Sequence, residues 1–362
     1  MNARVRARID SEGQLAALVD EALAPARLER LVHAEDWPDA PDPAAAAMPR
    51  ELWARALGDL ARDMLARPGR QFRARLAELA FRLGDGPGEP PRALGAIVEI
   101  IHAGSLVVDD IEDGSRTRRG EPCLHVRYGV PLALNAGNWM YFLALGLVDA
   151  LEPAPPPVRE RLRSVLVDAM ARCHLGQALD LGLDVARLPR AIVYRAVATS
   201  TSLKTGALME LAARLGAIVA RAPAEREEAL ARFGRRLGLG LQMLDDFGNL
   251  TTRTDAGSDK ALEDLRNGTP TWPWALAARA LDDAAFGELQ EAALALRQGG
   301  GADDGRARSL AAALRMAVGR AGRDQASRYL SAALAELSAA VGPRPELAAV
   351  AAEIERLGAA YG

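Results

Sequence analysis

The chain has 362 residues, 49% hydrophobic and 26% charged, which is enough to bury the core of one large domain or two ordinary ones. A net charge of −3 argues against nucleic-acid binding by bulk charge. The two cysteines, Cys123 and Cys173, have neither metal-site spacing nor a disulfide framework.

Aromatics make up only 4%, and Ala, Leu and Arg dominate, so helices are favoured over strands. The N-terminus is charged and no apolar signal core follows it. No stretch reaches the ~18 uninterrupted apolar residues of a membrane span. The expectation is a soluble protein of the reducing cytoplasm.

Residues 9–33 read as helix, with Leu15, Leu18, Val19, Leu23 and Leu28 as apolar positions. Residues 36–43 hold three prolines and form a loop. Residues 50–66 are amphipathic again, through Leu52, Leu57, Leu60, Met64 and Leu65. The next helix opens at 68–73. There Arg70 and Arg73 lie three apart and share a face, either as ordinary surface arginines or as an anion clamp.

An apolar run from Ile97 to Val108 then ends in Asp109, Asp110 and Asp113. On a helix Asp109 and Asp113 stand one above the other, with Asp110 beside them. Carboxylates at the end of a buried helix need cations, and oxygen ligands alone suit a hard ion such as Mg²⁺. A Gly-flanked basic loop with Arg118 and Arg119 follows, which suits a phosphate ligand.

Residues 132–150 form another apolar helix, and a Pro-rich connection follows at 153–157. Lys204-Thr205-Gly206 interrupts a helical stretch and predicts a kink or a close approach. A second acidic pair, Asp245 and Asp246, ends the run from Leu239, with Asn249 four after Asp245. The two clusters are predicted to hold metal ions against a polyanion. A Gly-rich loop over 298–305 precedes terminal helices at 306–341 and 345–360, and no strand is predicted.

In the order and spacing of these motifs, residues 50–290 resemble the trans-isoprenyl diphosphate synthases, the polyprenyl synthetase family. Asp109, Asp110 and Asp113 match its first Asp-rich motif, and Arg118 and Arg119 the arginine pair after it. Gln177 and Asp180 match its Gly-Gln-x-x-Asp, and Lys204 and Thr205 its Lys-Thr pair. Gln242, Asp245 and Asp246 match the second Asp-rich motif, and Lys260 and Asp264 the segment after it.

The resemblance implies an all-α, single-domain bundle around a central apolar cavity. It places an N-terminal helical extension over 1–49 and a catalytic domain over 50–362. It implies a homodimer that condenses an allylic diphosphate with isopentenyl diphosphate, with a product that partitions to membranes. Three Mg²⁺ are held by Asp109, Asp110, Asp113, Asp180, Asp245, Asp246 and Asn249. Arg118, Lys204 and Lys260 face the leaving diphosphate. Arg70, Arg73, His102 and Arg119 bind isopentenyl diphosphate, while Gln242 and the Lys204 and Thr205 carbonyls face the carbocation.

Four departures stand out. Asn249 replaces the motif's third Asp, Thr269 replaces a Lys, Arg70 replaces a Lys and Pro68 a Gly. They leave a terpene cyclase or non-standard prenyltransferase on the same fold as the alternative. Gly104 and Ser105 are small where relatives that stop at fifteen carbons often carry an aromatic. A product of geranylgeranyl size or longer is therefore predicted, with Ile101, Ile97, Trp139, Tyr141 or Phe142 as later stops.

Overall fold

The computed structural model describes residues 15–33, 36, 48–67, 69, 71–151, 154–250, 262–299 and 304–361. Arg70 and Lys260, both expected at the site, lie outside the described residues. The fold is all-α. The chain forms two compact units, Met1–Gln71 with Ala96–Ala150, and Phe72–Gly95 with Leu151–Gly362.

In the first unit, α1 (15–22) and α2 (Pro25–Val32) precede α3 (50–66), which carries a π turn at Ala54–Gly58. Leu15, Val19 and Leu23 are buried along α1. A side chain at Gly58 would meet Leu23 at 3.0 Å, so the glycine admits that leucine. Asp20 pairs with Arg62 of α3 at 3.0 Å.

The long apolar helix α5 (Arg92–Glu112) starts in the second unit and runs into the first. It is followed by strands β1 (Thr117–Arg118) and β2 (Glu121–Pro122), then α6 (Leu124–Tyr128) and α7 (Val130–Gly146). The two strands pair antiparallel, Thr117 with Pro122 and Arg118 with Glu121. The basic loop is thus a hairpin, which composition alone did not signal.

Helix α7 buries Ala133, Ala136, Gly137, Met140, Tyr141 and Ala144, an i, i+3, i+4 face. It packs against α5 where Gly104 meets Gly137: a Cβ on Gly104 would lie 2.7 Å from the Gly137 carbonyl. Val130–Ala150 is the one described helix long and apolar enough to cross a membrane by length and composition, and 44% of the relevant window is buried within the fold.

The second unit is built on α4 (Phe72–Leu83), α8 (Pro156–Gly182), α9 (Arg190–Thr201), α10 (Ala207–Val219) and α11 (Ala224–Asn249). Short α12 (Glu263–Asn267), α13 (Trp272–Ala280), α14 (Asp283–Gln298), α15 (Asp304–Val341) and α16 (Pro345–Tyr361) complete it. Buried Glu210 on α10 is gripped by Arg172 of α8, Arg214 of α10 and Arg235 of α11. Burial opposes its charge, but hydrogen bonds from Arg235 and Arg172 outweigh that and hold its carboxyl down at about 2.

The interruption expected at Lys204 is a π turn, Ser202–Gly206, between α9 and α10. Three glycines crowd it. A Cβ on Gly176 would lie 2.7 Å from the Lys204 nitrogen, one on Gly238 2.8 Å from the Thr205 oxygen, and one on Gly206 2.8 Å from Leu239. Any side chain at these points would force α8 and α11 off the turn.

Candidate active site

In the first unit Arg118 and the acidic helix end are joined by a buried ion pair. Asp110 is 2% exposed and Arg118 9%. Arg118 Nε donates to both Asp110 oxygens at 2.7 Å, and its Nη2 lies 2.5 Å from Oδ1. Arg118 Nη2 is 3.6 Å from Asp109. Burial opposes the charge on Arg118, but the Asp110 hydrogen bond and charge outweigh it and hold the guanidinium above its ordinary pKa. Asp109 and Asp113 are half-buried, one turn apart.

An open cleft in the first unit includes Arg119, the neighbour of Arg118 in sequence. It is lined by Arg67, Gln71, Glu99, His102 and Arg119, with Leu15, Met64, Leu65 and Ala103 as apolar wall. His102 and Arg119, both expected from the resemblance to bind isopentenyl diphosphate, are thus brought to one cleft. Leu15 and Arg67 were missed by sequence reasoning. Leu15 read as an ordinary core leucine, and Arg67 carries no motif.

In the second unit Lys204 Nζ donates to Asp180 at 3.1 Å. Thr205 Oγ1 donates to Gln242 Oε1 at 2.9 Å, and Gln242 Nε2 donates to Asp246 Oδ1 at 2.8 Å. The backbone N–H of Trp272 donates to Asp246 Oδ2 at 2.9 Å. Both oxygens of buried Asp246 therefore have protein partners. Burial pushes its carboxyl well above the usual range, with the charges of Asp264 and Asp245 adding to the shift and the two hydrogen bonds opposing it. Asp264 is pushed up to about 6, by burial first and then by Asp245, Glu263 and Asp180. Arg73 sits at the start of α4, and Asn249 is the last residue of α11. Thr269 donates its N–H to the Asp264 carbonyl.

Among the described residues no three His, Cys, Asp or Glu side chains form a ready metal cluster. In each acidic pair the second Asp is buried and bonded within the protein, while the first is half-buried. The remaining donors are oxygens, which suits a hard divalent ion that keeps water and takes phosphate oxygens as further ligands. The upward push on Asp246 from Asp264 and Asp245, and on Asp264 from Asp245, Glu263 and Asp180, marks an excess of negative charge that such an ion would relieve.

Neither cysteine is an activated nucleophile. Burial pushes the Cys123 thiol up to about 12 and the Cys173 thiol up to about 11.

The model of the polyprenyl synthetase family matches residues 54–298. The chain belongs to the polyprenyl synthetase family. Over 229 residues it is 29% identical to a geranylgeranyl pyrophosphate synthase of Eremothecium gossypii, covering 61% of this chain and 70% of that one. Over 217 residues it is 33% identical to a terpene synthase of Matsumurasca onukii, covering 60% and 67%. The crystal structure of a polyprenyl synthase from Caulobacter crescentus CB15, complexed with calcium and isoprenyl diphosphate, has the same fold. The TM-score is 0.70 at 24% identity, over 95% of this chain and 96% of that one. This polyprenyl synthetase is accordingly an isoprenyl diphosphate synthase-type enzyme, a prenyltransferase of isoprenoid biosynthesis.

The Asp110–Arg118 pair makes a stability prediction that needs no substrate. Asp110→Ala strands a buried guanidinium and should cost about 3–5 kcal/mol in urea unfolding. The double variant Asp110→Leu/Arg118→Met should recover most of that loss. A wild-type urea midpoint for Asp110→Ala would show that the pair holds nothing.

Proposed function

We propose that this enzyme condenses an allylic diphosphate with isopentenyl diphosphate in the presence of Mg²⁺, a hard divalent ion that suits oxygen donors, with three ions per active site. The observation that carries the reading is the concentration of carboxylates at two helix ends, one built around the buried Asp110–Arg118 pair and the other around buried Asp246, where burial and neighbouring carboxylates push Asp246 and Asp264 upward. The proposed metal ligands are Asp109, Asp110 and Asp113, and in the second unit Asp180, Asp245, Asp246 and Asn249. When bound, the ions supply positive charge against the leaving diphosphate.

The chain's own residues do the rest. Lys204, held by Asp180, adds a cation to the leaving group. The Thr205–Gln242–Asp246 hydrogen-bond chain fixes Gln242, and the π turn presents backbone carbonyl dipoles toward a developing carbocation. Arg73, His102 and Arg119 bind the diphosphate of isopentenyl diphosphate. The expected proton acceptor is the departing diphosphate, since burial holds both cysteine thiols well above their ordinary range. A cytoplasmic location is part of the same proposal.

A terpene cyclase remains the second reading, favoured by Asn249 and by the similarity to a terpene synthase. The deciding experiment is incubation with Mg²⁺, isopentenyl diphosphate and allylic diphosphates of several lengths. Elongated diphosphates support condensation, and a cyclic hydrocarbon supports the second reading. Asp109→Ala should lower turnover by about 10³-fold or more, and chelation of divalent ions should abolish turnover. Full turnover in either case would remove the metal assignment.

Product length is proposed from the positions one turn before Asp109. A Cβ on Gly104 would meet the Gly137 carbonyl and Met140, and Phe142 is 69% exposed, which favours Ser105 over either as the position that meets a growing chain. Ser105 remains, half-buried, its Oγ donating to the His102 carbonyl. We propose a product of geranylgeranyl size or longer, as the names of several relatives suggest. Ser105→Phe should shorten it, read by chromatography of the dephosphorylated products. An unchanged product would show that position 105 does not meet the growing tail.

A homodimer is supported by Val130, Leu134 and Phe142, which form one stripe on α7 and are 45%, 39% and 69% exposed. Phe142→Asp should convert the dimer to monomer in sedimentation. Unchanged sedimentation would place the contact elsewhere.

A further inference from the structure

The hairpin that carries Arg118 and Arg119 has two residues per strand, too few to hold itself. Its turn residues, Arg119 at φ 56° and Gly120 at φ 84°, are both left-handed. A two-residue turn of this kind needs positive φ at both places. Glycine takes it freely, whereas arginine is strained there, and such strain persists only where the surroundings over-determine it.

Those surroundings centre on Arg67, which is 5% exposed. Its Nη2 donates to the Pro122 carbonyl at 2.8 Å and its Nη1 to the Arg118 carbonyl at 3.4 Å, one on each strand. Its Nε donates to Asp63 Oδ1 at 3.0 Å. Its own carbonyl accepts from Arg119 Nη1 at 3.0 Å. Gly69 leaves the space that the Arg119 guanidinium fills, since a Cβ there would lie 2.8 Å from Nη1. Asp63 also takes Arg127 at 2.7 Å and Tyr128 at 3.0 Å, which ties α6 to the same carboxylate. The planar five-donor fork of arginine is what allows one side chain to serve a carboxylate and two carbonyls together.

We propose that Arg67 is a positioning residue: with Asp63 it locks the hairpin and so aims Arg119 into the cleft, where Arg119 binds the diphosphate of the condensing substrate. The assignment of that substrate rests on the function proposed above. The lock itself is a property of the first unit and can be measured without turnover.

The test uses the full chain with Arg67→Met, which keeps an apolar stem and removes every donor. Two quantities are read: the Michaelis constants for isopentenyl and allylic diphosphates, and amide hydrogen exchange over 116–123. The Cys123 N–H, bonded to the Arg116 carbonyl at 2.9 Å, is the reporter. The isopentenyl KM should rise about tenfold, with the allylic KM changed less than about twofold. Hairpin amides should exchange about tenfold faster while those of α10 keep their rate. Arg67→Lys, with one point charge in place of the fork, should fall in between. An unchanged isopentenyl KM, an equal rise in both constants, or unchanged hairpin exchange would overturn the proposal. If Arg67→Met does not fold, Asp63→Asn gives the same readouts by removing the charge that anchors Arg67. If the wild-type chain elongates nothing, the functional reading fails, and hairpin exchange alone decides the role of Arg67.

Discussion

The ion pair between Asp110 and Arg118 is the constraint on which the first unit depends. Two charges have been taken out of water, and each is tolerable only while the other is in place. Because Arg118 is in β1 and Asp110 ends α5, the chain must turn back over the helix end within eight residues. That return forces the left-handed pair at Arg119 and Gly120, and it brings Arg119 beside Gly69 and the cleft. Arg67 then closes the arrangement from below, through both strands of the hairpin.

The second acidic helix follows the same logic with different partners. Adjacent residues on a helix point about 100° apart, and in each Asp-Asp pair here the second side chain is turned inward further than the first. On α11 that residue is Asp246, neutralised in part by the Trp272 N–H and Gln242 instead of by an arginine. Burial drives the Asp246 carboxyl upward, and it accepts hydrogen bonds from a backbone N–H and an amide, while Asp110 faces a guanidinium. Two similar sequence motifs therefore have different electrostatics, and the difference comes from elements far away in the chain.

Close packing has a comparable role around Lys204 and Thr205. Gly176, Gly206 and Gly238 let three helical segments meet at the π turn, and the network on Glu210 ties α8, α10 and α11 together nearby. The turn is thus held from several sides at once. Polar groups on such a rigid frame need little reorganisation as charge develops near them, which is the physical basis of electrostatic catalysis.

Local pattern determined much of this protein. Apolar periodicity marked the helices, the Asp-x-x-x-Asp spacing put Asp109 above Asp113, and Lys204-Thr205-Gly206 marked a break that is a π turn. These are short-range properties, set by helix geometry and glycine's lack of a side chain. Only the tertiary structure decided which carboxylates are buried, because that depends on Arg118 and Trp272 arriving from other parts of the chain. The same holds for Gly104, which a one-dimensional reading assigned to a chain path and which instead admits the backbone of α7. It holds as well for Leu15 and Arg67, whose place at the cleft arises from packing between helices and leaves no periodic or motif signal.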